Sequence, residues 1–173
     1  DKTGTLTEGT MQFEELVLLG SAGREEAESA LAALASALDD HSPTMNAVRE
    51  AFPKAPPWSC GQQVAFSSAR KWSGASFGGH GTFVLGAGEF ILRDRFGEVR
   101  SQTEKYAALG KRVLLLARVK DLSGGLLPDS SEAEPIALVL LSDKIRRNAL
   151  KTLDYFRRQG VDLKVISGDS PAT

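Results

Sequence analysis

The chain has 173 residues, 42% of them hydrophobic and 25% charged, enough for one good core or two modest ones. Twenty-one basic residues against 22 acidic ones leave a net charge of −1, which gives no electrostatic reason to expect nucleic acid or an anionic membrane surface as partner. A single cysteine, Cys60, excludes an internal disulfide and all-cysteine metal sites, and no apolar run approaches the roughly 20 residues that cross a bilayer.

In chain order, residues 1–10 form a polar turn, Asp1-Lys2-Thr3-Gly4-Thr5-Leu6-Thr7 running into Glu8-Gly9-Thr10. Residues 25–38 are alanine-rich and set Ala27, Leu31, Leu34 and Leu38 on one helical face. Ser42-Pro43 reads as an N-cap with proline in the first turn, predicting a short helix to about Phe52 that Pro53, Pro56 and Pro57 end. Strands are predicted at 62–67, 71–77 and 82–85, the glycines at 78, 79 and 81 turning a hairpin between the last two, and again at 112–119. Residues 128–135 read as an exposed loop.

Beyond that loop the period changes. Residues 136–142 are a continuous apolar strand, and 145–159 an amphipathic helix with Ala149, Leu150, Leu153 and Phe156 inward and Gly160 at its C′ position. Residues 161–167 form a second apolar strand. The pattern is that of a β-α-β unit with parallel strands covered on both faces. A start at Asp1 and an end at Thr173 read as the bounds of an excised fragment.

The opening heptapeptide carries the strongest chemical signal. It supplies a carboxylate nucleophile, an adjacent cation, and several hydroxyl and N–H donors around a glycine, the groups that cradle a transferring phosphoryl group. As composition alone the stretch is a turn. As a string, its seven residues match the phosphorylation motif of P-type ATPases without a substitution, and weaker motifs follow in the family's order. The resemblance implies a haloacid-dehalogenase-like, Rossmann-type α/β phosphorylation domain, partial here, with an inserted α+β nucleotide-binding domain built on an antiparallel sheet flanked by helices. On that reading residues 1–10 and 137–173 belong to the phosphorylation domain and residues 11–136 to the insertion. Asp1 is the phosphoryl acceptor, helped by Lys2, Thr3 and Thr5. Phosphatases of the same superfamily carry a second Asp two residues after the nucleophile as general acid/base; Thr3 cannot fill that role, which favours a lasting aspartyl-phosphate over rapid hydrolysis.

Other segments follow the same register. Ser167-Gly168-Asp169 resembles the family's Thr-Gly-Asp, with Ser167 a donor to the phosphoryl group. Asp143 and Arg146 resemble the returning hinge, where Lys144 replaces a frequent proline. Phe66-Ser67-Ser68-Ala69-Arg70-Lys71 resembles the adenine segment, with Phe66 stacking on the base and Lys71 near the nucleotide; without the resemblance, Phe66 reads as a core residue. Gly86, in Leu85-Gly86-Ala87-Gly88-Glu89, gives close backbone approach in a motif whose usual lysine is replaced by Leu85. Arg112 matches an arginine that reaches the phosphates. Met45 occupies a region where calcium-type pumps place a carboxylate for the adenine amine, so modest ATP affinity is expected.

The implied ligands are ATP and Mg²⁺, the metal held by Asp1 and the Thr3 carbonyl. The implied partners are a transported cation (calcium or another divalent ion as the best guess) and the actuator and transmembrane domains of the same polypeptide, with the fragment on the cytoplasmic side of the cell membrane. The alternatives are a non-catalytic nucleotide-binding module and a superfamily phosphatase. His41 and His80 lack partners at metal-ligand spacing, and there is no Gly-x-x-x-x-Gly-Lys-Ser/Thr loop.

Overall fold

A computed structural model describes residues 6–122, 127 and 132–164. Their central feature is a six-stranded sheet, ordered β1-β6-β5-β4-β3-β2, in which every neighbouring pair is antiparallel. The strands are β1 (Thr7–Leu18), β2 (Cys60–Val64), β3 (Trp72–Phe77), β4 (Gly81–Gly86), β5 (Arg112–Val119) and β6 (Glu134–Ile145). Helices α1 (Arg24–Ala37) and α2 (Pro43–Ala51) lie between β1 and β2 in the chain, α3 (Gly88–Leu92) and α4 (Gly97–Ala108) between β4 and β5, and α5 (Ala149–Arg158) follows β6.

Side-chain alternation along the strands divides the core in two. Val139 and Leu141 of β6 join Leu31, Leu34, Met45 and Val48 from α1 and α2. Leu138 and Leu140 join Ile91, Leu92 and Val99 from the α3–α4 side. This explains the unbroken apolar run at 136–141, since a strand with helices on both faces has no solvent side to mark with polar residues.

Among the described residues the run opens no parallel β-α-β unit, contrary to the sequence expectation. β6 pairs antiparallel with both β1 and β5. Two-sided burial, not strand direction, wrote the pattern. β6 also continues to Ile145, so the following helix begins at Ala149 rather than at 145. Of its expected inward residues Ala149 is buried and Leu153 half-buried, but Leu150 is 77% exposed and Phe156 is exposed among the described residues. Residues 161–164 are not in a strand, and the rest of the expected strand at 161–167 lies outside the described residues.

The sequence signals for α1 and α2 are met: Ala27, Leu31, Leu34 and Leu38 are all buried, and the Ser42 hydroxyl accepts from the Met45 N–H at 3.3 Å. The link between the two helices is fixed by Arg49, whose guanidinium donates to the carbonyls of Ala35 at 2.9 Å, Leu38 at 3.4 Å and Asp40 at 3.0 Å. It serves carbonyls that the end of α1 leaves without helical partners. Arg49→Met keeps much of the aliphatic stem but strands those acceptors; it should cost about 2 kcal/mol, read as a lower urea midpoint with an unchanged slope.

Candidate functional site

The Arg49-tied link and the start of α2 form one wall of a cavity of about 370 Å³. Asp40, Ser42, Pro43, Thr44 and Met45 line that wall; Phe66, Lys71, Ser73, Leu85, Gly86, Ala87, Arg112 and Leu114 supply the remainder. Three separate segments predicted to handle a nucleotide thus converge, one through Phe66 and Lys71, the others through Gly86 and Arg112.

Each is placed by local chemistry. Phe66 follows β2 and stays 50% exposed, so it is not the core residue that its apolar neighbours suggest. Behind it the chain turns at Ser67, whose hydroxyl accepts from the Arg70 N–H at 3.1 Å and whose carbonyl accepts from the Lys71 N–H at 2.8 Å. Lys71 leaves this turn at φ +61°, a left-handed conformation that costs a side-chain-bearing residue about 1 kcal/mol. Its carbonyl accepts from the Ala87 N–H at 2.9 Å, which holds the turn against the end of β4.

Gly86 lines the cavity, but the fold itself requires it. A Cβ there would sit 2.4 Å from the Lys71 carbonyl oxygen and 2.5 Å from Trp72 Cα. Arg112, the first residue of β5, donates from Nη1 to Thr44 Oγ1 at 3.0 Å. Leu85 and Met45, the two departures from the family pattern, are both buried in the α1–α2 core and give the cavity an apolar floor.

One carboxylate in the lining was not picked out from the sequence. Asp40 precedes the Ser42 cap by two residues, and its Oδ1 accepts from the Ser42 N–H at 2.8 Å. In the sequence it resembles any acidic residue in a polar linker; only the fold of the α1–α2 link brings it to the cavity.

Asp143 and Arg146 are placed elsewhere. Asp143, in β6 opposite Met11, lines a separate cleft of about 710 Å³ together with Leu6, Glu14, Lys111, Ser142 and Leu150. Arg146 donates from its backbone N–H to the Leu6 carbonyl at 3.0 Å and from Nε to the Thr7 carbonyl at 3.3 Å. The start of β1 and the end of β6 are joined there. Asp1, Lys2, Thr3, Thr5, Ser167, Gly168 and Asp169 lie outside the described residues.

In that cleft Glu14 Oε1 accepts from Ser142 Oγ and from Gln12 Nε2 at 2.9 Å, and lies 3.4 Å from Lys111 Nζ. Chiefly the Ser142 donor, then Gln12, with Lys111 adding, hold the Glu14 carboxyl below its ordinary value of 4.5.

A family model for haloacid dehalogenase-like hydrolases matches residues 1–173. The chain belongs to that family. Among curated proteins it is 45% identical over 175 residues to the calcium-transporting ATPase CtpE of Mycobacterium bovis, covering 98% of this chain and 21% of that protein. It is 38% identical over 175 residues to the probable cation-transporting ATPase exp7 of Streptococcus pneumoniae, covering 100% of this chain and 22% of that one. The chain therefore spans about a fifth of the length of the curated relatives it matches. Among solved structures, a zinc-transporting PIB-type ATPase in its E2·Pi state superimposes with a TM-score of 0.70 at 20% identity, over 99% of this chain and 25% of the other. That likeness extends the agreement to the fold. Among the described residues no helix is long and apolar enough to cross a membrane.

Two outcomes are expected from this geometry. Lys71→Gly removes the left-handed strain and should leave the melting temperature within about 2 °C of the parent, while weakening nucleotide binding severalfold in a fluorescence titration; a large loss of stability would show that the side chain serves the fold. For Glu14, a lowered carboxyl stabilises the folded state above the ordinary carboxylate range and loses that contribution as pH falls through its lowered value. Denaturation midpoints of the parent and Glu14→Gln should therefore differ at neutral pH and converge as the pH is taken below 4.5.

Proposed function

We propose that this chain is the nucleotide-handling and phosphoryl-accepting part of a P-type cation-transporting ATPase. The observation that carries the reading is the convergence of Phe66, Lys71, Gly86 and Arg112, four positions from three separate segments, on one cavity. In this reading the sheet is the nucleotide-binding unit (residues 11–136) inserted between two parts of a phosphorylation domain (residues 1–10 and 137–173), and β6 carries the chain from one to the other. The resemblance to calcium-transporting relatives favours calcium or another divalent cation as the transported ion.

The cavity suits a purine nucleotide. Its apolar floor and the exposed Phe66 ring accept a flat base by stacking. Asp40, with one oxygen engaged by the Ser42 N–H, has a second able to accept from the adenine amine. This is a role that Met45 cannot fill. Lys71 and Arg112 supply the cations for the phosphate chain.

Transfer then needs the γ-phosphate beside Asp1. A carboxylate oxygen of Asp1 attacks phosphorus in line, the bond to the β–γ bridging oxygen breaks, and ADP leaves with the electron pair. Ser167 and Thr5 donate to the equatorial oxygens. The Asp1 carboxylate and the Thr3 carbonyl would hold Mg²⁺, which would supply charge neutralisation. Because Thr3 is not a base, the acyl phosphate persists long enough to couple to a conformational change in the rest of the polypeptide, whose actuator and membrane-spanning domains form the cation pathway. That assigns the chain to the cytoplasmic side of a membrane protein.

The test uses the full-length protein that contains this chain. Radiolabelled Mg-ATP should leave acid-stable label that Asp1→Ala abolishes, and Phe66→Ala should weaken ATP binding about tenfold through the lost stacking. Undiminished labelling in Asp1→Ala would defeat the reading.

A further inference from the structure

β1 departs from regular pairing twice, and the second departure has a consequence beyond the nucleotide cavity. Phe13 faces Leu141 and Glu15 faces Leu140, so Glu14 is the extra residue of a β-bulge. Bulges re-aim side chains and concentrate next to functional sites. Here Gln12 and Glu14 both reach Ser142 on β6, and the Glu14 carboxylate also reaches Lys111 at the entrance to β5. The carboxylate thus ties together β1, β6 and the residue that opens β5.

An ion pair on a half-open surface ordinarily contributes little to stability, and a solvated tie is the bland interpretation. The position of this one says more. Lys111 lines the 710 Å³ cleft beside the β1–β6 pair, whereas Arg112, the next residue, lines the nucleotide cavity. Successive residues of an extended chain face opposite ways, so these two grip different neighbours. Lys111 is held by Glu14, and Arg112 by Thr44 at the start of α2. Meanwhile β1 and β6 run on to the joint at Leu6 and Arg146, five residues from Asp1 in the chain. The start of β5 is therefore mechanically linked to the strands that lead to the phosphoryl acceptor.

We infer that Glu14 is a positioning residue that couples the β1–β6 strand pair to Arg112 through Lys111, so that phosphoryl transfer depends on it and nucleotide binding does not. The inference rests on the function proposed above. None of Gln12, Glu14, Lys111 and Ser142 lines the nucleotide cavity, so their loss removes no contact to a bound nucleotide. In-line transfer is the step that suffers from a small misplacement.

The experiment is a double-mutant cycle in the full-length protein, with Glu14→Gln, Lys111→Met and the pair combined. ATP affinity is measured by fluorescence titration, and label incorporation from Mg-ATP by rapid quench. Each single change should slow incorporation about tenfold with ATP affinity held within about twofold, and the double variant should be no slower than either single, as expected of residues acting as a unit. Ser142→Ala, which removes one donor and leaves both charges, should move the rate in the same direction and serves as the test where Glu14→Gln does not stay folded. Unchanged incorporation rates overturn the inference, as do affinity and rate falling together, or losses that multiply in the double variant. A parent protein that takes up no Asp1-dependent label defeats the proposed function and this inference together; a parent that is labelled normally, with variants indistinguishable from it, defeats the inference alone.

Discussion

The antiparallel pairing of β1 with β6 is the constraint on which the remainder depends. Thr7 stands opposite Ile145 and Leu18 opposite Ala137, so segments about 130 residues apart are laid side by side along their length. Closing a loop of that size costs entropy that grows only slowly with length. The closure is repaid along β6, whose residues 136–141 are buried on both faces between two helical layers. With the ladder in place, Leu6 and Arg146 meet at its end, so the residue before β1 and the residue after β6 are bonded to each other. The proposed function calls for such a meeting, since it takes its phosphoryl acceptor from Asp1 and a donor from Ser167.

The cavity proposed for the nucleotide is held by a different set of restraints, several of which work against local preference. Lys71 occupies a conformation suited to glycine, pinned through its N–H by Ser67 and through its carbonyl by Ala87. Gly86, conversely, leaves no room for any side chain because β3 presses its backbone there. The opposite wall hangs on Arg49, a charged side chain spent on backbone carbonyls rather than on an ion pair. Local strain next to a site is tolerated when the surroundings over-determine it. The sheet behind the cavity supplies that determination.

Much of this was legible in advance where one interaction dominated locally. The Ser42 cap with Pro43, the alanine-rich face of α1, the glycine hairpin between β3 and β4, and β5 at Arg112–Val119 all agree with their sequence signals. The turn after α5 agrees too, with Gly160 at φ +73°. What escaped notice lay where signals compete. β1 reads as polar because its outward residues are Glu, Gln and Thr and two irregularities break its alternation. The α3–α4 region is interrupted by Arg93 at φ +52° and starts both helices at glycines, so no continuous helical period is visible.

By itself the sequence pointed to the proposed chemistry: a carboxylate at Asp1 in a string that resembles an unsubstituted phosphorylation motif, no second acid two residues on, and an aromatic, a lysine and an arginine at positions that resemble the family's. It could do so because reactive groups are local and are named by residue type. Only the tertiary structure decided strand direction, since burial on both faces writes the same apolar run in a parallel or an antiparallel sheet. It also decided which polar residues matter. Asp40 and Glu14 look like ordinary surface acids until the α1–α2 link brings one to the cavity beside Phe66 and a bulge aims the other at Ser142 and Lys111. Such roles depend on neighbours distant in sequence, and those neighbours exist only once the sheet has closed.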